Sequence, residues 1–330
     1  MTVDIPNFTY PVQGFRKFGL KNINFNLFVN DSIGILGESG SGKSTLLKLL
    51  AGLLPLETKN QILIYDNCMG LTALKDIKRH KRYGALQIVF QDNVGSLYPD
   101  ETIKSAIKHI ANIKRVSKQR VKENARHFFQ LLGLIKSDNT KNEWKLFLHK
   151  KISNLSMGML RRFCLAKAVL LMDIYTDENQ CFPKVMLLDE ISRGLDAETK
   201  KLLIHFIKEL IENYHISIIA ISHELTFLQS ICTDFYFLFE GLQLPLRYKS
   251  EDLNNPETIT NPYVRSYFIP CVEPQKPDKT MTDAYETWQN FRKYSKCIFL
   301  HHFDCPEKNK QKCTQNTLIY NDKEKNWICS

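Results

Sequence analysis

Nine residues near the start of the chain, GESGSGKST at positions 37–45, constrain its fold more than any other stretch. They match the pattern G-x-x-x-x-G-K-[ST], in which the backbone N–H groups of a glycine-rich turn converge on phosphate oxygens. The apolar segment SIGILG leads into them and the helical pattern KSTLLKLLAGLL leads out, so the turn joins a buried strand to a helix. The sequence therefore predicts an α/β fold with a phosphate-binding loop at one edge of its sheet.

This loop supplies the first candidate nucleotide-binding residues. They are Gly37, Glu38, Ser39, Gly40, Ser41, Gly42, Lys43, Ser44 and Thr45. We expect Lys43 to reach the β- and γ-phosphates of a nucleotide and the Ser44 hydroxyl to ligate Mg²⁺. The dipole of the following helix favours the same anion.

Three further apolar segments, LQIVF, KVMLLDE and ISIIAIS, are typical of buried strands in a parallel sheet, and polar residues stand where each one ends. We expect Asp189 to hold the Mg²⁺ shell and Glu190 to polarise the attacking water. The amide of Gln91 is placed to contact the metal and the lytic water, and His223 to hydrogen-bond the γ-phosphate. For Gln91 and His223 taken alone, an ordinary structural role is the alternative.

Length and composition limit the class of protein to which the chain can belong. The chain has 330 residues with 43% apolar content, which is ordinary for a globular protein. No apolar run approaches the roughly 20 residues needed to span a bilayer, and the start MTVDIPNFTYPV lacks the pattern of a signal peptide. We therefore expect a cytosolic protein that reaches a membrane only through a partner.

The positive charge is concentrated in one segment. Between Lys104 and Lys151 there are 13 Lys or Arg against 3 Asp or Glu, which equals the whole formal net charge of +10. This surface is suited to nucleic acid or an anionic membrane, and a solvated helical face is the alternative. The surrounding pattern predicts an inserted helical subdomain at about 100–170, and the shift to Pro, Asn and Thr after Gly241 predicts a boundary between 1–240 and 241–330.

The nine cysteines fall into two groups. Five are scattered singly through the first 271 residues and are expected to be reduced, mostly packed thiols. The other four, Cys297, Cys305, Cys313 and Cys329, occupy the last 34 residues. This clustering predicts a small Cys-rich extension at the end of the chain.

The order of these motifs resembles the ATP-binding subunit of ABC transporters over residues from about 8 to 240. By that resemblance, the glycine loop is the Walker A motif, Gln91 the Q-loop, Asp189–Glu190 the Walker B motif and His223 the H-loop. NLSMGMLRR resembles the signature loop L-S-G-G-Q, with Ser156 and Gly158 retained. SRGLDAE resembles the D-loop, with Arg193 and Gly194 at the first two places of S-x-L-D and Asp196 retained. The resemblance implies an ATPase that uses ATP and Mg²⁺.

Three other stretches narrow the resemblance to the oligopeptide, dipeptide and nickel uptake group: FTYPVQGF, QIVFQDNVGSLYP and NPYVRSYFIPCVEP. In that group an aromatic residue near the start stacks on adenine, which points to Tyr10, with Phe15 and Phe18 as alternatives. Members often end in four cysteines that hold a [4Fe–4S] cluster, so Cys297, Cys305, Cys313 and Cys329 are expected to ligate one. Zn²⁺, with His301 or His302 replacing one thiolate, and unmetallated thiols are the alternatives.

The resemblance also implies partners. We expect a second ABC ATPase subunit, two permease subunits and, indirectly, an extracytoplasmic substrate-binding protein, with the chain peripheral on the cytoplasmic side of the membrane. A soluble ABC ATPase that acts on nucleic acid or the ribosome is an alternative class, but the chain has no second glycine loop. A regulatory subunit that binds ATP and hydrolyses it poorly is the other.

Two methionines depart from the signature pattern. Met157 stands where the family has the first glycine, and Met159 stands where it has glutamine. A side chain at 157 would either crowd a phosphate or forbid a positive-φ backbone. Because such subunits pair head to tail, this signature would serve the partner's nucleotide. The sequence therefore predicts a heterodimer with two unequal ATP sites.

Overall fold

The computed structural model describes residues 1–9, 19–55, 61–66, 70–77, 82, 84–90, 97–136, 141–175, 183–244, 247–254, 259, 264, 318–321 and 326–329. These residues fall into two compact units, Met1–Leu244 and Pro245–Ser330. The first unit ends at Leu244, four residues beyond the predicted boundary at 240, and so includes the short strand Leu242–Gln243.

The first unit is organised around one sheet. Its strands, among the described residues, are β1 (Thr2–Thr9), β2 (Gly19–Asn26), β3 (Ser32–Gly37), β4 (Gln61–Asp66), β5 (Gly70–Ala73), β6 (Leu86–Val89), β7 (Lys184–Asp189), β8 (Ile216–Ile221), β9 (Asp234–Phe239) and β10 (Leu242–Gln243). They lie side by side in the order β5-β4-β1-β2-β10-β9-β3-β8-β7-β6.

The half of this sheet from β9 to β6 is parallel. All six residues of β3, β7 and β8 are buried, which explains why these strands read as continuous apolar runs. Ile33 pairs with Ile219, and Asp189 pairs with Ile221 at the end of β7. Parallel pairing brings the carboxyl ends of these strands to the same edge, where the predicted loops meet.

In the other half, β5, β4, β1 and β2 pair antiparallel, with β1 between β2 and β4. Strand β10 joins the two halves, since it pairs parallel with β2 and antiparallel with β9. Strand β2 alternates buried and exposed residues over most of its length, so one face packs on the core and the other meets solvent. Its buried members include Leu20, Ile23 and Phe25.

The helices of the first unit lie between the strands in the chain. Among the described residues they are α1 (Lys43–Leu50), α2 (Ile103–Lys114), α3 (Lys118–Leu131), α4 (Lys141–His149), α5 (Met157–Leu171), α6 (Ala197–Tyr214) and α7 (Leu225–Ile231), with short 3-10 turns at Leu74–Asp76 and Ile152–Asn154. Helices α2 to α5 come between β6 and β7, in the segment predicted to be helical and basic.

An aromatic core holds this helical segment together. Phe129 of α3 packs against Trp144 and Phe147 of α4 and against Phe163 of α5, with ring centroids 5.7–6.1 Å apart. Its neighbour Phe128 is fully buried and faces α6 instead. The helical segment is therefore packed on the helix that follows the D-loop sequence.

The second unit contains strand β11 (Tyr248–Lys249), a 3-10 turn at Asp252–Asn254, and a hairpin of β12 (Leu318–Asn321) with β13 (Asn326–Cys329). Leu318 pairs with Cys329 and Ile319 with Ile328. Across the part of the chain that the structure describes, no helix has both the length and the apolar character needed to cross a bilayer.

Candidate functional site

The glycine loop follows β3 directly and begins α1. Gly40 and Gly42 adopt φ values of 82° and 102°, a region that side chains other than glycine's rarely enter. Gly37 is needed for space, because a Cβ there would overlap the Leu238 carbonyl and the Ser41 hydroxyl. The loop is also tied to the sheet, since the Gly241 N–H donates to the Ser41 carbonyl at 3.0 Å.

Two polar side chains of this loop are buried. Lys43 donates from Nζ to the Gly37 and Glu38 carbonyls, at 2.7 Å each. Burial lowers its pKa, and the carboxylates of Glu190, Asp189 and Glu38 oppose that shift. The Ser41 Oγ is buried and has no hydrogen-bond partner among the described residues. The loop therefore offers the Ser41 hydroxyl and the third N–H of the Lys43 ammonium as donors. These donors fit the phosphates of a nucleotide.

Ser44 and Asp189 meet at the end of the sheet. The Ser44 Oγ donates to Asp189 Oδ1 at 3.2 Å, although 145 residues separate them in the chain. Burial raises the pKa of Asp189, and the hydrogen bond from Ser44 opposes that shift. A hydroxyl and a carboxylate oxygen at this distance are the hard oxygen ligands that Mg²⁺ prefers, so the two residues fit the metal predicted for them.

Glu190 lies one residue beyond β7 and contacts His223, which lies two residues beyond β8. Glu190 Oε1 is 2.7 Å from His223 Nε2, and the carboxylate side chain is only 13% exposed. Glu190 has a φ of 54°, which is uncommon for a residue other than glycine and stores strain. Its N–H donates to the Ile221 carbonyl at 2.9 Å, which fixes the start of the turn. The structure thus brings together the two side chains predicted to handle the attacking water and the γ-phosphate.

A pair of buried serines supports this contact. The Ser192 and Ser222 hydroxyls are 3.1 Å apart, and Ser222 also accepts the Glu224 N–H at 3.0 Å. The pair joins the turn that follows Glu190 to the strand end that carries His223. Sequence reasoning misses this contact, because a serine carries no signal of its partner on another strand.

Asp196 has a local role in the described residues. It is the N-cap of α6 and accepts hydrogen bonds from the Thr199 N–H and from the Thr199 hydroxyl, both at 2.8 Å. These two bonds lower the pKa of Asp196. The residue predicted as the D-loop aspartate is therefore engaged in capping the helix start.

Ser156 begins α5 in the same way. Its Oγ accepts the Met159 N–H at 3.3 Å, and Met157 is the first helical residue, with 58% of its surface exposed. Position 157 is helical and has no positive φ, so the expectation that methionine could forbid the backbone is not met. The other expectation, that this exposed side chain would crowd a phosphate, stays a prediction. A Cβ on Gly158 would meet no heavy atom within 4 Å in the described structure.

Several predicted site residues lie outside the described residues: Tyr10, with its alternatives Phe15 and Phe18, Gln91, Cys297, His301, His302, Cys305 and Cys313. Cys329 ends strand β13, of which the backbone is described. Within the described residues, no group of three or more His, Cys, Asp or Glu side chains could hold a metal ion. Ser39 is exposed in the loop, and Thr45 lies in the first turn of α1.

Comparison with known proteins identifies the family. The model of the ABC transporter family matches residues 20–192, which is more than half of the chain. The methionine import ATP-binding protein MetN of Legionella pneumophila is 26% identical over 256 residues, covering 77% of this chain and 67% of MetN. The nickel import ATP-binding protein NikE of Shigella boydii is 28% identical over 217 residues, covering 64% of this chain and 72% of NikE.

A solved structure agrees on the fold. The ATP-binding cassette MJ0796, in a dimeric post-hydrolysis state bound to ADP and Pi, is 22% identical and has a TM-score of 0.59, with 76% of this chain and 98% of that one covered. The predicted P-loop α/β fold is confirmed. The glycine loop, the Ser44–Asp189 contact and the Glu190–His223 contact lie at one edge of this fold. The chain therefore belongs to the ABC transporter family and is an ATPase.

Proposed function

We propose that the chain is the ATP-hydrolysing subunit of an ABC importer, attached to the cytoplasmic side of the membrane through permease subunits. The contact of Glu190 with His223, beside the Ser44–Asp189 pair, carries this proposal, because it supplies a base next to a metal-binding pair. The names of MetN and NikE, which are import ATP-binding proteins for methionine and nickel, support the direction of transport. We propose peptides, nickel or metal chelates as the cargo class, chosen by the other subunits.

Each residue of the site has a proposed task. Lys43 offsets phosphate charge, and Ser44 with Asp189 would hold Mg²⁺, which would supply positive charge to the phosphates. Glu190 accepts a hydrogen bond from the attacking water, and His223 holds that carboxylate and the γ-phosphate. The resemblance adds Gln91 at the metal and Tyr10 on adenine. Burial of Lys43 and Asp189 strengthens their electrostatic effect on a bound nucleotide.

Substitution of Glu190 tests the catalytic part. In the purified complex, Glu190→Gln should lower kcat for ATP by about 100-fold or more, because the neutral amide cannot accept a proton. Glu198→Gln removes an exposed carboxylate in the first turn of α6 and should leave kcat unchanged. A complex whose ATPase rate survives Glu190→Gln would instead point to a regulatory subunit, with hydrolysis performed elsewhere.

We further propose that the complex contains a different, second ATPase and that its two sites are unequal. In a head-to-tail pair, Ser156 and Gly158 of this chain approach the partner's nucleotide, and the exposed Met157 side chain would crowd it. Replacing Met157 by Gly and Met159 by Gln should raise turnover in a complex whose Glu190 is replaced by Gln, because only the partner's site is then active. An unchanged rate would refute the asymmetry.

The permease contact is proposed for an open groove beside the helical segment. It is lined by Tyr98, Asp100, Glu101, Thr102, Ser105 and His109. Tyr98 is 74% exposed, and the ring offers an apolar surface next to two carboxylates. Affinity purification from native membranes should recover two permease subunits and a second ATPase. Recovery of ribosomes or DNA would favour the soluble alternative.

For the part of the chain that follows the first unit, we propose an extension whose Cys297, Cys305, Cys313 and Cys329 bind a [4Fe–4S] cluster. The four thiolates within the last 34 residues support this assignment. Anaerobic purification should give a brown protein with an absorbance band near about 400 nm and stoichiometric iron. A colourless protein with bound zinc would replace the cluster with a Zn²⁺ site, and a metal-free protein would leave reduced thiols.

A further inference from the structure

Helix α5 contacts the turn between β7 and α6 through one arginine. Arg161, on the second turn of α5, donates from Nη1 to the Arg193 carbonyl at 2.9 Å. The same Nη1 lies 3.8 Å from the position that a Cβ on Gly194 would occupy. The guanidinium therefore lies against the middle of the turn that begins at Glu190 and ends at Asp196.

The turn transmits this contact to Glu190. The Arg193 N–H donates to the Glu190 carbonyl at 3.2 Å. Arg193, whose carbonyl Arg161 binds, is therefore itself hydrogen-bonded to the backbone of Glu190. Glu190 has the strained φ of 54°, which the surrounding hydrogen bonds must maintain. Arg161 and Glu190 also line the same narrow cavity of about 30 Å³. A shift of the turn would therefore change the direction of the Glu190 side chain.

The chemistry of position 161 argues against a mere packing role. Arg161 Nε is buried and has no hydrogen-bond partner among the described residues, which is unfavourable for a guanidinium. An apolar residue would fill the space without that penalty. The benefit that remains is the charge-assisted bond to Arg193.

We propose that Arg161 is a positioning residue, which holds Glu190 in its catalytic orientation and couples this orientation to helix α5. The proposal rests on the proposed function, in which Ser156 at the N-terminus of α5 approaches the nucleotide of the partner. A movement of α5 on that nucleotide then moves the Arg193 carbonyl. Occupancy of one ATP site thereby adjusts the base of the other.

A double-mutant cycle tests the proposal in the purified complex. Arg161→Met should lower kcat for ATP about 10-fold with KM nearly unchanged, because the turn is displaced while the phosphate loop is intact. Arg161→Lys retains a cationic donor and should recover part of the rate. When Glu190 is already Gln, Arg161→Met should change the residual rate less than about 2-fold, because the group it positions is gone.

Matched variants separate this role from a structural one. Lys201→Met removes an exposed cation from α6 and should leave kcat unchanged. If Arg161→Met does not fold, Arg161→Gln, whose shorter amide does not reach Arg193, replaces it with the same expected loss. Wild-type kcat in the Arg161 variants, or an equal proportional loss in the Glu190→Gln background, would overturn the proposal. A wild-type complex without ATPase activity would overturn the proposed function instead.

Discussion

Asp189 is expected to be a site where function costs stability. Its side chain is 7% exposed, and burial raises its pKa above the ordinary value of 3.8. A group whose pKa is higher in the folded state stabilises the fold below its unfolded pKa, and that contribution is lost as pH rises through the folded pKa. At pH 7 the ionised Asp189 is therefore unfavourable in the protein without nucleotide.

Asp189→Asn tests this reasoning. Asparagine keeps an acceptor for the Ser44 hydroxyl and removes the buried charge, although the attraction to Lys43 is lost. We expect the variant without nucleotide to be more stable by about 1 kcal/mol at pH 7. The difference should shrink as pH falls through the raised pKa of Asp189 towards 3.8, because the folded wild-type carboxyl then becomes protonated.

The nucleotide should reverse this order. A non-hydrolysable ATP analogue with Mg²⁺, at 100 times its Kd for the wild type, should stabilise the wild type by about 2.7 kcal/mol. The variant lacks the carboxylate proposed to ligate Mg²⁺ and should be stabilised less. The measurement is urea unfolding followed by circular dichroism, with and without the analogue. Asp4→Asn, which replaces an exposed carboxylate in β1, is the control. A variant that is less stable without nucleotide, or equally stabilised by the analogue, would refute the argument.

Three further predictions concern the fold around the site. Phe128→Ala should lower the free energy of unfolding by about 3–5 kcal/mol, measured by urea unfolding, because Phe128 is fully buried against α6; Phe128→Leu should cost less than half as much. Gly34→Ala should cost about 1–3 kcal/mol in the same assay, because its Cβ would lie 2.7 Å from the Phe235 ring. Burial raises the pKa of Cys164 to about 11, so at pH 8 about one thiol in a thousand is ionised. Mass spectrometry after iodoacetamide treatment should find Cys164 unmodified in the native chain and modified in urea.

The parts of the fold that were predictable are encoded locally. Strands β3, β7 and β8 are buried on both faces, so each appears in the sequence as a short apolar run. The positive φ values of Gly40 and Gly42 are likewise visible as glycines in the loop pattern. These local signals were sufficient for the α/β fold and for the family.

The remaining features depend on contacts between distant segments. The Ser192–Ser222 pair forms because β7 and β8 are neighbours in the sheet. No sequence pattern predicts which residue a serine will contact. The strained φ of Glu190 is set by the geometry of the turn. It could not be predicted, because glutamate rarely adopts a positive φ and gives no sign of one in the sequence. The contact of Arg161 is equally unpredictable from the sequence, since its partner is a backbone carbonyl 32 residues away.

Gly158 can report on contact between subunits in the assembled protein. Within the described chain, its missing side chain leaves room that no other atom occupies, so the fold of a single subunit gives no reason for a glycine there. Alanine should be tolerated, and even preferred for helix formation, as long as the subunit is alone. Any penalty that appears only on assembly would then report how closely a second surface approaches α5. Substitutions at Gly158 would therefore measure contact between subunits, and not the stability of one subunit.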